Sequence, residues 1–275
     1  MPDAAEHPAP LRVALLQCGH VHEDLVPEHG DYPELFAGLF AGHGLALTTI
    51  DAATEALPPV DAFDGWLVSG SACSAYDPLP WIPALEDLLR ALVAAEAPIV
   101  AVCFGHQVLA QAMGGRVERS SAGWGAGAHR YEVCGPAGHP PPPWMTPATV
   151  DGAVTILASH QDQVVELPEG ARRWLRTDHC PIAGYVLGPA ALAIQPHPEF
   201  TAPISRGLVE RRRELMGADV ADAALASLDA PLDREVLATW MARFLRLAAA
   251  RRAVGAERGG RLGTFAGAGP AADHP

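Results

Sequence analysis

Three residues combine type and spacing in a way that suits nucleophilic catalysis: Cys103, His197 and Glu199. Cys103 stands inside Pro98-Ile-Val-Ala-Val-Cys-Phe-Gly-His-Gln-Val-Leu-Ala-Gln111. Ile99, Val100 and Val102 are β-branched and the run is apolar throughout, which predicts a short strand buried on both faces. Val108, Leu109 and Ala112 then recur at helical spacing. The thiol therefore falls at a strand-to-helix turn, with Ala101 and Gly105 leaving room for the bend. This is the logic of a nucleophile elbow, with sulfur in place of a hydroxyl. A thiol at a helix N-terminus feels the positive end of the helix dipole, which favours thiolate. The competing reading is a core cysteine, since free Cys is among the most buried residue types.

Ala191 to Gln195 predicts a last core strand, which delivers Pro196-His-Pro-Glu-Phe200. Residues two apart in an extended segment project to one side. Glu199 can then bond one imidazole nitrogen of His197 and leave the other facing a thiol, the arrangement of nucleophile, base and orienter. His106 and His160 are rival bases ranked below His197, and His106 enters the helix after the elbow. Cys18, His20, His22, Glu23 and His29 form a second cluster of potential ligands. Their spacing fits none of the usual zinc patterns, so no metal is expected.

The elements that must position these residues alternate. Leu11–Leu16 predicts a first strand, and a helix follows from about Pro33 to Ala41. Leu45–Asp51 and Ala62–Val68 predict further strands, and Trp81–Ala95 a helix that returns the chain to the Cys103 strand. Strands alternating with helices predict an α/β domain around a central, mostly parallel sheet flanked by helices. The site then lies at the carboxyl ends of the strands. Ile156–Ser159, Trp174–Arg176 and Ile182–Val186 are shorter strands, and 136–147 is a Pro-rich loop. From Thr201 the chain reads as helical. Arg211–Arg213 is expected on a solvated face, Asp229 is a candidate cap, and Leu237, Trp240, Met241, Phe244 and Leu245 form an apolar stripe. The expected division is a catalytic core over 11–200, a helical extension over 201–250 and a disordered tail over 251–275.

The chain of 275 residues carries a net charge of -13, from 19 basic and 32 acidic side chains. That balance argues against nucleic-acid binding, which leaves a basic footprint. No run of 18 or more apolar residues predicts a membrane span, and Met1–Pro10 lacks a signal-peptide core. Five scattered cysteines, an odd number, argue against a disulfide framework and for a reducing cytoplasm.

Val102-Cys-Phe-Gly-His-Gln107 with His197-Pro-Glu199 resembles the class I glutamine amidotransferase family, which uses a Cys-His-Glu triad. The Ser69-Gly-Ser71 loop is similar to that family's oxyanion loop, and Ser159-His-Gln-Asp162 to its glutamine-binding turn. Gly30-Asp-Tyr-Pro33 and Ser74-Ala-Tyr-Asp77 to Trp81 resemble the stand-alone branch related to the amidotransferase half of GMP synthase, which includes γ-glutamyl peptidases. Ala101 stands where many relatives have Gly, and Gln161 where the synthase-linked domains have Gly.

The resemblance implies a flavodoxin-like class I glutamine amidotransferase fold and hydrolysis of the γ-amide of glutamine or a γ-glutamyl compound through a γ-glutamyl thioester. Cys103, His197 and Glu199 are the implied triad. Phe104, Ser71 and Gly70 are the implied oxyanion hole, and Gln107, Ser159, His160, Gln161 and Asp162 the implied substrate contacts. No metal or organic cofactor is implied. Besides a hydrolase acting alone, the resemblance admits an amidotransferase subunit that delivers ammonia to a separate synthetase. It also admits a non-enzymatic member of the wider Cys-elbow group, which the intact triad set argues against. No P-loop pattern occurs in the sequence.

Overall fold

The computed structural model describes residues 9–135, 140–146, 149 and 151–263. The chain opens with strand β1 (Leu11–Gln17), a one-turn helix α1 (Val26–His29) and helix α2 (Tyr32–Leu39). Then come β2 (Leu45–Asp51), β3 (Gly65–Val68), α3 (Trp81–Ala94), β4 (Ile99–Val102) and α4 (Phe104–Ala112). The strands β5 (Arg116–Arg119), β6 (Gly125–Val133), β7 (Ala153–His160), β8 (Asp162–Glu166), β9 (Ala171–Arg176), β10 (Gly184–Leu187) and β11 (Ala191–Ile194) follow. Helices α5 (Ala202–Arg211), α6 (Arg213–Met216), α7 (Ala218–Ser227) and α8 (Arg234–Gly263) come last.

Nine strands form one sheet in the order β2-β1-β3-β4-β11-β10-β9-β6-β7, and β5 pairs with β8 in a separate ribbon. Neighbours from β2 to β11 are parallel. From β11 onward the pairing is antiparallel. The parallel half has the flavodoxin-like order, with β11 as its fifth strand.

Strand alternation sorts the core onto the two faces of this sheet. Val13, Leu15, Leu67, Val100 and Val102 pack in one cluster with Phe36 and Leu39 of α2 and Leu237, Met241 and Leu245 of α8. Their neighbours Ala14, Leu16, Trp66, Val68, Ile99 and Ala101 pack in another with Leu85, Leu89 and Leu92 of α3 and Val108 and Leu109 of α4. Every residue of β3 and β4 is buried, as a parallel strand covered on both faces requires. Each fully buried Leu or Val side chain contributes roughly 1.5–3 kcal/mol.

β7 ends at His160 and β8 begins at Asp162, so Ser159–Asp162, expected as a turn, is the corner between two strands. One local reading changes. Asp229 does not cap the last helix. That helix starts at Arg234, after Asp233, whose backbone N–H and carboxylate both pair with Thr155 of β7. The same helix runs on to Gly263, into the stretch expected to be disordered, and residues 264–275 lie outside the described residues. Part of the expected Pro-rich loop, residues 136–139 and 147, also lies outside them.

Candidate active site

Cys103 occupies the single residue between β4 and α4, with φ 54 and ψ -104. A positive φ is costly for a residue with a Cβ, roughly 1–3 kcal/mol, and persists only where the surroundings fix it. Here they do. The Cys103 N–H donates to Ile194 O at 2.8 Å, and the Cys103 carbonyl accepts from Gln107 N at 3.1 Å. Gly105 is required by the bend, because a Cβ there would lie 2.6 Å from the Val68 carbonyl oxygen. The result is a side chain lifted off the sheet at the carboxyl end of its central strand.

β11 lies beside β4 in parallel, so the segment after it emerges at the same end. His197 is anchored there by its N–H, which donates to Leu157 O at 2.8 Å. Its Nδ1 donates to Glu199 Oε1 at 2.6 Å, and both side chains are buried. The other face of the ring is covered by Phe200, stacked at 4.1 Å and 2°. Burial opposes a charge on the imidazole. The Cys103 sulfur and the Glu199 carboxylate outweigh it, by charge and by hydrogen bonding, and hold His197 up at about 10. Both neighbours thus favour the protonated form of the ring.

Close packing keeps this group together. A Cβ on Gly70 would meet the Tyr32 hydroxyl at 2.7 Å and His197 Cε1 at 3.0 Å. Tyr32, the first residue of α2, is set by the Asp31–Glu34 capping box and stacks on Phe200. Arg234 donates to the Pro198 carbonyl at 2.7 Å and the Glu199 carbonyl at 3.2 Å. It clamps the backbone that carries the acid.

The remaining expected residues separate into two groups. Among the described residues, the backbone N–H groups of Phe104, Gly70 and Ser71 have no hydrogen-bond acceptor. Ser69, fully buried, pins their loop by accepting from Cys18 N and donating to Gly70 O. Gln107 is buried and already committed, donating to Asp162 O at 2.8 Å and Gln195 Oε1 at 3.1 Å. Asp162 accepts from Ser74 Oγ at 2.5 Å, Gln161 from Arg119 at 2.8 Å and Ser159 from Arg212 at 2.8 Å. His160 has an acid two residues on, but that acid is Asp162, engaged with Ser74. Burial holds the His160 ring well below the ordinary range, and His179 and His129 add to the effect. His106 lies in the core against Tyr185, and burial pushes it down to about 3.

Sequence reading passed over Gln195, whose Nε2 donates to Cys103 Sγ at 3.5 Å. The sequence signal was no more than a polar residue ending the apolar run Ala191–Ile194; its full burial emerges only in the fold. The five cysteines are free thiols. No group of three His, Cys, Asp or Glu among the described residues is arranged to hold a metal ion, and no described helix is long and apolar enough to cross a membrane. A cavity of about 640 Å³, lined by Trp144, Trp174 and Phe244, lies beside Gly188 and Pro189. It is at the amino end of β11, away from Cys103.

A cysteine elbow and a carboxylate-backed histidine at the carboxyl edge of a doubly wound sheet define a class of α/β proteins built for thiol chemistry. The family description "Glutamine amidotransferase class-I" matches residues 40–207, more than half of the chain, and the chain belongs to that family. It is 30% identical over 224 residues to Gamma-glutamyl peptidase 5 of Arabidopsis thaliana, covering 79% of this chain and 88% of that one. It is 32% identical over 155 residues to a glutamine-hydrolyzing GMP synthase of Thermus thermophilus, covering 55% of this chain and 28% of the relative. Among solved structures, a glutamine amidotransferase from Methylobacillus flagellatus superposes with a TM-score of 0.61 at 24% identity, covering 88% of this chain and 94% of that one. One from Thermotoga maritima gives 0.62 at 18% identity, covering 87% and 97%. These two likenesses speak for the fold. The relatives carry the names of enzymes, a γ-glutamyl peptidase and a glutamine-hydrolyzing synthase.

Proposed function

We propose that this protein hydrolyses the γ-amide of glutamine or of a γ-glutamyl compound, with Cys103 as nucleophile, His197 as acid and base, and Glu199 as orienter. The observation that carries the reading is the buried His197–Glu199 pair, bonded at 2.6 Å and delivered by β11 to the same end of the sheet as the Cys103 elbow on β4. The Cys103 thiolate attacks the γ-carbonyl carbon, and the oxyanion is met by the N–H groups of Phe104, Ser71 and Gly70. Each such donor is worth about 3 kcal/mol in the transition state. As the tetrahedral adduct collapses, the C–N bond breaks and His197 gives its proton to the leaving amine. A γ-glutamyl thioester remains on Cys103. Neutral His197 then takes a proton from water, the hydroxide adds to the thioester, the C–S bond breaks and the thiolate–imidazolium pair is restored. Gln195 Nε2 donates to the sulfur.

The likeness to γ-glutamyl peptidases over most of both chains supports a hydrolase acting alone. The GMP synthase likeness supports a second reading, in which ammonia passes to a separate synthetase. The free thiols suit a reducing compartment. Incubation with a γ-glutamyl amide, acid quench and mass spectrometry test the proposal. A γ-glutamyl adduct on Cys103, with amine release lost in Cys103→Ala, is the expected result. Amine release at the wild-type rate by Cys103→Ala overturns it.

A further inference from the structure

The run Arg211–Arg213 does not form one solvated face. Arg211 pairs with Asp24 and Arg213 with Asp222. Arg212 between them has no carboxylate partner among the described residues and is turned inward. Its backbone sits at the end of α5, donating to Leu208 O and Val209 O at 3.1 Å. Its Nη1 donates to Ser159 Oγ at 2.8 Å, and its Cζ lies 5.6 Å from the centroid of the Trp124 ring. Burial, with Cys103 and Glu199, drives the Tyr32 phenol well above its ordinary value, and the Arg212 charge acts in the opposite direction. A half-buried guanidinium with five donors and one hydrogen bond spent is costly to desolvate, and an anion bound to its fork would offset that cost.

The site has two sides. Gln107, Gln195 and Asp162 form one, linked through Asp162 O and Gln195 Oε1 and touching Cys103 Sγ. His197, Phe200 and Tyr32 form the other. Ser159 belongs to the second side, because Leu157, two residues earlier on the same face of β7, packs in one core cluster with Tyr32 and Phe200. His197 is also the group that protonates the departing amine, so the leaving group must lie on its side.

We propose that Arg212, framed by Trp124 and Ser159, is the receptor for a carboxylate on the leaving amine, so that the preferred substrates are γ-glutamyl amino acids or peptides with a free C-terminal carboxylate. This rests on the γ-glutamyl hydrolase reading above and adds to it a specificity-determining residue. A charge-assisted pair of this kind discriminates by roughly ten- to a hundredfold.

Calorimetry on the inactive Cys103→Ala protein tests it without turnover, with γ-glutamylglycine and its C-terminal carboxamide as probes. The carboxylate should bind about ten- to a hundredfold more tightly, and the ratio should shrink as salt rises. Adding Arg212→Met should bring the ratio to about one, while Arg212→Lys should keep part of it. A residue that merely props Ser159 would shift both affinities together and leave the ratio intact. Equal affinities before the Arg212 change, a ratio that survives Arg212→Met, or no binding of either probe overturns the assignment. Amine release from both probes by the protein with Cys103 intact is measured separately. No release, with the binding preference preserved, overturns the hydrolase reading and leaves the Arg212 assignment standing.

Discussion

Two sets of buried histidines in this molecule behave in opposite ways. His197 is held up at about 10, whereas His106 is pushed down to about 3 and His160 well below its ordinary range. Burial acts in the same direction on all three, against charge. What differs is the company. His197 has a carboxylate at 2.6 Å and a thiol beside it. His106 faces the Tyr185 ring, and His160 faces His179, itself near His129. A buried imidazole holds a proton only where anions outweigh the lost hydration. Among these three that happens at the edge of the sheet where the elbow after β4 and the segment after β11 emerge side by side.

The largest break in this contrast should come from Glu199→Gln, which removes one of the two anions. We expect kcat to fall by about a hundred- to ten-thousandfold. The alkaline limb of kcat/KM, set in the intact protein by His197 near 10, should move to lower pH, because a neutral amide no longer favours the imidazolium. A pH–rate profile with an unmoved alkaline limb would show that Glu199 does not set the charge of the base.

Acid stability sharpens the other half of the contrast. Unfolded histidine titrates near 6.5. His106, at about 3 when folded, refuses a proton that the unfolded chain accepts between those values. Stability should therefore fall as pH drops below about 6.5, by about 1.4 kcal/mol per pH unit for this residue. His160 acts in the same direction. His197 has the reverse sign: its contribution is complete below about 6.5 and is lost as pH rises toward about 10. Urea unfolding at pH 7, 5 and 4 reads the acid slope, and His106→Leu should flatten it.

The smallest effect is expected from Arg234→Met. It removes two bonds to the Pro198 and Glu199 carbonyls and touches neither side chain of the His197–Glu199 pair. Roughly 1–2 kcal/mol of stability should go, with about a tenfold loss in kcat as the acid loosens. A full loss of activity in a folded variant would mean that Arg234 acts directly on the reacting groups.

The parallel half of the sheet was legible because its signals are local. Ile99–Val102 is a buried β-branched run and Trp81–Ala94 an amphipathic helix, and both appear where their periodicity puts them. The elbow and the His197-x-Glu199 pair were legible for the same reason: two residues in an extended segment share a side. The residues that escaped are those whose partners are far away in sequence. Arg212 reads as part of a charged run, and only the approach of Ser159 and Trp124 turns it inward. Gln195 needed the thiol 92 residues earlier to give its amide a purpose. β5 and β8 are short and mixed in composition. Only their antiparallel pairing makes them strands, and with it the corner that offers Asp162.

The aromatic packing has an optical consequence. Trp144, Trp174 and Trp240 stand edge to face at 5.3, 6.3 and 6.1 Å, at the amino end of the strands. Close indoles exchange excitation, so their emission reports whether that end of the molecule is assembled and says little about occupancy at Cys103. Trp124, alone under a guanidinium, is the indole whose emission should respond to a bound anion. A protein reduced to that single fluorophore would carry its own indicator of ligand on the leaving side.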